Sequence, residues 1–222
     1  MKKTLYTLLA CTVLAFSLNG CGDQPADQPT QEDTPIDTAQ TPTEYEPLSP
    51  ELPPLSPELQ TLYNEAESFL LGIAFGGFAC DYTDFIQVDG IDYYRVSTDQ
   101  YADYAAFEED LQRHFTDAFI EQNILGDNGL FAEGENGGLY FCDGARGANI
   151  FYAGHTFAID SETADEIDFT ATAYYANGDE PYDGDLFYTA PEDPENYDTQ
   201  DYHFRLVNED GQWKFDEFSI LF

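Results

Sequence analysis

Residues 202–218 read YHFRLVNEDGQWKFDEF. Two arms in which apolar and polar residues alternate flank Glu209-Asp210-Gly211, and this is the pattern of an antiparallel β-hairpin. The alternation places Tyr202, Phe204 and Leu206 on one face of the first arm. We therefore expect the chain to close with a hairpin that turns one face to a core.

The strand pattern recurs upstream of this hairpin. Strands are indicated at residues 139–142, 151–159 and 167–175, because aromatic and β-branched residues gather there between turn residues. A long acidic loop, residues 177–194, separates them from the hairpin. The second half of the chain is therefore predicted to be an antiparallel sheet.

Helical patterns dominate the first half. Ser56-Pro57 is a helix start, with Ser as the N-cap and Pro in the first turn, and apolar residues from Leu59 to Ile73 then share one helix face. Asp89-Gly90 marks a short hairpin, and residues 104–124 form a second helical region. This order predicts an α+β domain in which N-terminal helices pack on a curved, mainly antiparallel β-sheet.

The N-terminus has the pattern of a lipoprotein signal. Two lysines precede an apolar run from Leu5 to Phe16, and Leu18-Asn19-Gly20 stands directly before Cys21. We expect residues 1–20 to be a signal peptide, since the run is too short for a membrane-spanning helix of about 20 residues. Lipid on Cys21 would hold the chain at the outer face of the bacterial cell membrane. The alternative is an ordinary signal peptide in which Cys21 is incidental.

Composition separates a linker from one domain. Residues 21–57 are rich in Asp, Glu, Pro and Thr and nearly lack large apolar residues. Such a segment cannot bury enough surface to offset its ordering entropy, so we expect a disordered linker. The chain contains 16 Tyr and 18 Phe, nearly all beyond residue 58, and disordered chains are poor in aromatic residues. Residues 58–222 are therefore predicted to form a single α+β domain.

The charge balance limits the partners. The chain has 44 Asp and Glu against 7 Lys and Arg, and its formal net charge is −37 at pH 7. Such a surface repels nucleic acid and anionic headgroups and favours cationic partners or metal ions. The alternative is a solvated surface that only keeps the protein in solution. We expect a monomer with no nucleic-acid partner.

Two cysteines lie in the predicted domain, Cys80 and Cys142. An even pair outside the cytoplasm indicates a disulfide, and the alternative is two buried thiols that behave as small apolar groups. A catalytic cysteine would need a neighbouring base such as His114, His155 or His203. No known local motif surrounds either cysteine, and the three histidines lack the spacing of metal ligands.

No sequence motif for catalysis is present. Nucleophile-elbow, Walker and dinucleotide-binding patterns are missing, and the carboxylates are too numerous for one pair to stand out, so we expect no enzyme. Calcium is the one metal that the sequence suggests, because Asp179, Glu180, Asp183 and Asp185 cluster in one loop and Ca²⁺ prefers clustered oxygens. A solvated acidic loop is the alternative, and no other cofactor is expected.

The order of the motifs resembles the IseA family of DL-endopeptidase inhibitors over most of residues 58–222. The resemblance rests on Asp89-Gly90 with Tyr93-Tyr94, on Leu111 with Phe115-Thr116, and on the hairpin from Leu206 to Phe215. It implies a non-catalytic inhibitor that blocks NlpC-type cell-wall peptidases with an acidic cleft. A similar hairpin also closes cone-shaped, nuclear-transport-factor-like domains of bacterial lipoproteins, so the alternative is a cell-surface protein that binds a small ligand or calcium.

The charge agrees with the inhibitor hypothesis. An acidic patch and a cationic cleft attract each other and associate fast at low salt. The acidic loop supplies candidate contact residues, in which tyrosines would act as anchors. The candidate partner-binding residues are Asp179, Glu180, Tyr182, Asp183, Asp185 and Tyr188.

Overall fold

Three α-helices occur in the part of the chain that the structure, a computed structural model, describes: residues 49–126, 129–142, 144 and 147–221. They are α1 (Pro57–Ala74), α2 (Tyr104–His114) and α3 (Asp117–Ile120), and a π-helical turn over Glu121–Leu125 continues α3. No helix in these residues has both the length and the apolar character needed to cross a bilayer. The predicted signal peptide, Cys21 and most of the predicted linker lie outside the described residues.

The strands of the described residues form two antiparallel sheets. They are β1 (Cys80–Val88), β2 (Ile91–Val96), β3 (Phe131–Glu133), β4 (Leu139–Phe141), β5 (Tyr152–Glu162), β6 (Glu166–Ala176), β7 (Tyr197–Glu209) and β8 (Gln212–Glu217). Sheet A has the order β1-β2-β4-β3, and sheet B has the order β5-β6-β7-β8. The edge strands are β1 and β3 in sheet A and β5 and β8 in sheet B.

The α+β class is confirmed, but two details of the expected architecture differ. The strands form two sheets instead of one curved sheet, and only α1 precedes them, since α2 and α3 lie between β2 and β3. Alternation along a strand reports which face is buried but not which strand lies beside it. Sheet A is joined by the pairing of β2 with β4, at Tyr94–Phe141 and Arg95–Tyr140. No local sequence signal predicts this pairing.

The first helix forms as its sequence predicts. The hydroxyl of Ser56 accepts a hydrogen bond from the Leu59 amide at 3.4 Å, and Pro57 occupies the first turn. The helix ends where Gly76 adopts a φ of 69°, a conformation that glycine adopts readily. Tyr63 and Ala66 face the core and are at most 1% exposed.

One aromatic core joins α1 to the inner face of sheet B, which is the face that contacts this helix. The Tyr63 ring lies 6.4 Å from that of Phe169 and 5.9 Å from that of Phe204. Phe169 and Phe204 stack across β6 and β7 at 4.8 Å. Burial of such rings contributes about 1.5–3 kcal/mol each relative to exposure, so the inner face of sheet B is the main stabilising surface of the fold.

The packed unit begins before the expected boundary at residue 58. Leu55 is 4% exposed and belongs to the core, and the Gln60 side chain donates a hydrogen bond to the Pro53 carbonyl at 2.9 Å. The end of the predicted linker is therefore part of the folded domain.

Candidate functional site

The acidic loop, residues 177–193 in the structure, is docked on the free edge of sheet B. The Phe187 amide donates to the Ala153 carbonyl at 3.1 Å, the His155 amide donates to the Phe187 carbonyl at 3.0 Å, and the Tyr182 amide donates to the Ile150 carbonyl at 2.9 Å. Backbone hydrogen bonds thus fix the carboxylate-bearing segment to the edge beside β5 at its middle, Tyr182, and just beyond its end, Phe187. The backbone of the loop is therefore held in place, and its acidic side chains project from fixed positions.

Gly154 makes this close approach feasible. Its φ is 147°, and a Cβ atom there would lie 1.9 Å from the Phe187 carbonyl oxygen. A side chain at this position would force the two backbones apart. The register of β5 also shifts between Tyr152 and Gly154, which is the mark of a β-bulge. A bulge with glycine therefore creates the docking place for the loop.

The six predicted partner-binding residues do not all lie on one surface. Asp179, Glu180, Asp183 and Asp185 are all exposed. The Tyr182 hydroxyl donates to the Asp185 carbonyl at 2.8 Å, which holds this tyrosine beside the acids.

Tyr188 turns away from that surface. Its ring lies 5.2 Å from the ring of His155, on the side of α1, whereas the ring of the preceding Phe187 lies 5.2 Å from that of Tyr197. Successive side chains of an extended segment point to opposite faces. Tyr188 therefore does not belong to the acidic surface that was predicted to include it.

The described residues contain no group of three or more His, Cys, Asp or Glu side chains that could hold a metal ion. Calcium binding by Asp179, Glu180, Asp183 and Asp185 therefore stays a prediction, and it would need these carboxylates to turn toward one point.

Cys80 and Cys142 are not joined to each other by a disulfide in the structure. Cys80 pairs with Val96 of β2, and Cys142 follows directly on β4, which pairs with the other side of β2. The two cysteines are thus separated by an intervening strand, roughly 10 Å across the sheet. Because a disulfide needs Cα atoms within about 7 Å, this separation decides against a bond between these two cysteines.

Sequence reasoning missed a cluster of polar side chains between α1 and sheet B. We call it the tyrosine cluster: Tyr63, Glu67, Tyr152, His155 and Tyr188. The Tyr63 hydroxyl donates to Glu67 Oε1 at 3.1 Å. The Tyr152 hydroxyl lies 2.5 Å from His155 Nδ1, and His155 Nε2 lies 3.1 Å from the Glu51 carbonyl oxygen. Since a carbonyl only accepts, Nε2 carries the proton and Nδ1 accepts from Tyr152.

Burial shifts the pKa values of the titratable groups in the cluster. It raises the pKa of the Glu67 carboxyl, an effect that the hydrogen bond from Tyr63 partly offsets. Burial also raises the pKa of the Tyr152 hydroxyl and lowers the pKa of His155. Desolvation disfavours the charged form of each group, so the folded state favours the neutral forms of these side chains more than water does.

The geometry of the cluster favours positioning over catalysis. Both ring nitrogens of His155 are engaged, one by Tyr152 and one by the backbone of Glu51, so neither is open to a substrate. The contact with Glu51 ties the segment before α1 to sheet B. One sequence signal marks the cluster: Glu67 falls on the apolar face of α1, four residues after Tyr63, and a carboxylate there needs a partner.

The outer face of sheet B carries ordered acids. Ser161 donates to Asp168 at 2.8 Å, and Thr172 donates to Asp201 at 2.7 Å. Arg205 donates to Asp168 at 2.9 Å, which lowers the pKa of this carboxyl. Hydroxyl donors on neighbouring strands therefore hold these carboxylates in fixed positions on the exposed face.

The basic side chains in the described residues are all engaged. Arg113 pairs with Asp110 at 2.5 Å, and Lys214 pairs with Glu209 at 3.3 Å. Arg205 binds Asp168, and Arg95 lies over the Tyr140 ring with 5.5 Å to its centroid. The exposed acids of the loop are therefore not balanced by these cations, and the surface stays open to a cationic partner.

A separate apolar cavity of about 540 Å³ lies between α1, α3 and the end of the chain. Its lining includes Leu70, Ile73, Ile124 and Tyr202. The Tyr175 hydroxyl lies 2.7 Å from that of Tyr202 and donates to the Leu221 carbonyl. Ligand pockets usually have volumes of about 300–1,000 Å³ and a few placed polar groups, so the size and lining of this cavity suit a small apolar molecule.

The chain matches no protein-family model and no curated protein. Its function therefore has to be argued from its own surface, charge and cavities.

Proposed function

We propose that the protein is a non-catalytic, extracytoplasmic binding protein, held at the outer face of the membrane by lipid on Cys21, that inhibits a cell-wall DL-endopeptidase of the NlpC type. Its acidic surface engages a cationic region of the peptidase. The target class is the one implied by the resemblance of the sequence motifs to IseA-type inhibitors. The net charge of −37 supplies the attraction.

One observation carries the proposal. The acids Asp179, Glu180, Asp183 and Asp185 are exposed on a loop whose backbone is fixed to the edge of sheet B. A surface that is ordered before binding loses little entropy when a partner docks. The basic residues described above are bound to acids or to a ring, so they do not screen these carboxylates.

The direct test is inhibition. The chain without its signal peptide and without Cys21, residues 22–222, is added to a purified NlpC-type DL-endopeptidase that digests cell-wall material, at low and at high salt. Dose-dependent inhibition that weakens as salt rises is expected, because exposed charges are screened within about 10 Å at 0.1 M salt. A failure to inhibit several such peptidases would reject the proposal.

The anchor has its own test. Metabolic labelling with palmitate should label the full chain and should not label Cys21→Ser, because this thiol is the proposed acceptor. Label that survives the substitution would place the lipid elsewhere.

The apolar cavity supports a second candidate function, binding of a small apolar ligand on the cell surface. Native mass spectrometry of the purified chain would detect a bound molecule as an added mass. Leu70→Trp, which fills the cavity, should remove that mass. A chain that carries no added mass and binds no apolar dye would argue against this function.

A further inference from the structure

Exposed apolar side chains are concentrated on one hairpin, formed by β1 and β2. The large apolar residues that are most exposed in the described part of the chain are Phe75, Tyr82, Phe85, Val88, Ile91, Ile150 and Leu186. Four of these seven lie between residues 82 and 91. Single exposed apolar residues are ordinary, but a contiguous group on a monomer marks an interaction site.

The outer part of this hairpin projects beyond its sheet. β4 pairs with β2 only at Tyr94 and Arg95, while the pairing of β1 with β2 continues to Val88 and Ile91 at the Asp89-Gly90 turn. We call residues 85–92 the ribbon. A two-stranded ribbon is marginally stable alone. The side chain of Tyr93, which is 9% exposed and donates to the Gly129 carbonyl at 3.1 Å, anchors its base.

Apolar side chains lie on both faces of the ribbon. Phe85 pairs with Tyr94, and these two side chains share a face with the Tyr82 ring, which lies 4.9 Å from that of Tyr94. Val88 pairs with Ile91, three positions further along, and so lies on the opposite face. Phe85 is 53% exposed and Ile91 is 52% exposed. A ribbon that is apolar on both faces fits between two walls and not against one flat surface.

Carboxylates surround these apolar groups. Asp81, Asp84 and Asp89 are exposed, and Asp92 is held by Gln87 at 2.9 Å. The ribbon itself contains no Lys or Arg, and Arg95 at its base lies over the Tyr140 ring. The charge selects a partner whose rim is cationic.

We propose that the ribbon is the docking element: it inserts as a wedge into a cleft of a partner protein that has apolar walls and a cationic rim. This inference rests on the proposed function, and it makes that cleft the substrate groove of the inhibited peptidase. Phe85 and Ile91 act as the buried anchors of the complex, since a few central apolar residues carry most of the binding energy in interfaces. The acidic loop then contributes attraction at longer range.

Two other occupants are less consistent with the charge. A second copy of the chain could pair with the free edge of β1, but it would bring the same carboxylates together. An anionic membrane surface would repel them. Sedimentation tests for the second copy, and vesicle binding tests for the membrane.

The test compares two double variants of residues 22–222 in the inhibition assay. The ribbon variant is Phe85→Ser with Ile91→Ser, and the matched control is Phe75→Ser with Ile150→Ser, which removes two apolar side chains that are 42% and 59% exposed outside both the ribbon and the acidic loop. We expect the ribbon variant to weaken inhibition about tenfold or more and the control to change it less than about twofold. Thermal unfolding should be unchanged in both, because the side chains are exposed.

The outcomes separate the two proposals. Inhibition by the wild type that the ribbon variant retains in full overturns the wedge and leaves the inhibitor function standing. A wild type that inhibits nothing rejects the function, and the wedge with it.

Two further measurements cover the other occupants. Sedimentation that shows a dimer lost in the ribbon variant would assign the ribbon to a second copy. Binding to vesicles of anionic phospholipid that is lost in the same variant would assign it to the membrane. Either result overturns the wedge.

Discussion

Two hairpins of this protein have the same turn and opposite surroundings. Asp89-Gly90 has φ values of 50° and 85°, and Asp210-Gly211 has φ values of 55° and 89°, as an Asp-Gly pair in a tight hairpin turn requires. The second hairpin, β7–β8, buries Phe204 and Phe215 in the core, whereas the first leaves Phe85 and Ile91 more than half exposed. Turn chemistry therefore forms a hairpin without deciding whether its apolar residues are buried.

The difference separates stability from binding. Apolar residues of β7 and β8 gain free energy when the domain folds, because they leave water. Apolar residues of the ribbon gain little from folding and would gain only when a partner covers them. Sheet B is thus the scaffold, and the ribbon of sheet A is the part of the fold with surface left to bury.

The largest effect is expected in the core. Phe204→Ala should destabilise the domain by about 3–5 kcal/mol, since it removes a fully buried ring. Phe85→Ala on the ribbon should change the free energy of unfolding by no more than about 0.5 kcal/mol. Urea unfolding of both variants measures the contrast. Similar losses of unfolding free energy in the two variants would show that the ribbon is part of the cooperative core. They would contradict the division into a stabilising sheet B and a binding ribbon.

A second prediction concerns the sheet edges. The edge of β5 is covered by the acidic loop, while the outer edge of β1 pairs with no strand in the described residues. Gly154→Ala places a methyl group against the Phe187 carbonyl and should release the loop, at a cost of about 2 kcal/mol. Limited proteolysis within residues 177–193 should become faster. Unchanged protection of the loop would show that the backbone contact is not what holds it.

Local patterns predicted the elements well, and their limits are physical. The cap at Ser56, both Asp-Gly turns and the buried face of Phe204 were predicted, because turn and strand chemistry act within a few residues. The partners of β4 were not, since pairing depends on residues far apart in the chain. The contact of His155 with Glu51 and the direction of the Tyr188 side chain were missed for the same reason: each depends on what β5 brings opposite α1.

The two turns allow a matched test of moderate size. Alanine at a positive φ costs about 1 kcal/mol, and both Gly90 and Gly211 have open space around the added Cβ, so strain is the only cost. Gly211→Ala should lower the global free energy of unfolding by that amount. Gly90→Ala should leave the global value nearly unchanged and should instead speed amide exchange in residues 85–92 about fivefold, because the ribbon opens locally. Equal global losses would contradict the separation of the two hairpins.

The smallest effect concerns the packing of α1 on sheet B, where Glu67 of α1 is a destabilising group. Burial raises the pKa of Glu67 above its ordinary value of 4.5, so the folded state prefers the protonated carboxyl. The cost is therefore absent at acid pH, below the unfolded pKa, and grows as pH rises through the raised value. Glu67→Gln keeps an acceptor for the Tyr63 hydroxyl and cannot ionise.

The melting temperature of Glu67→Gln should accordingly exceed that of the wild type at pH 7, and the difference should vanish near pH 4. His155, whose pKa is lowered, weakens the fold as pH falls, but it does so in both proteins and cancels in the difference. Glu135→Gln, on an exposed loop, is the control and should show no such pH dependence. A difference in melting temperature that stays constant between pH 4 and pH 7 would mean that the amide acts through packing or hydrogen bonding. The interface between α1 and sheet B would then tolerate the charge of Glu67 without cost.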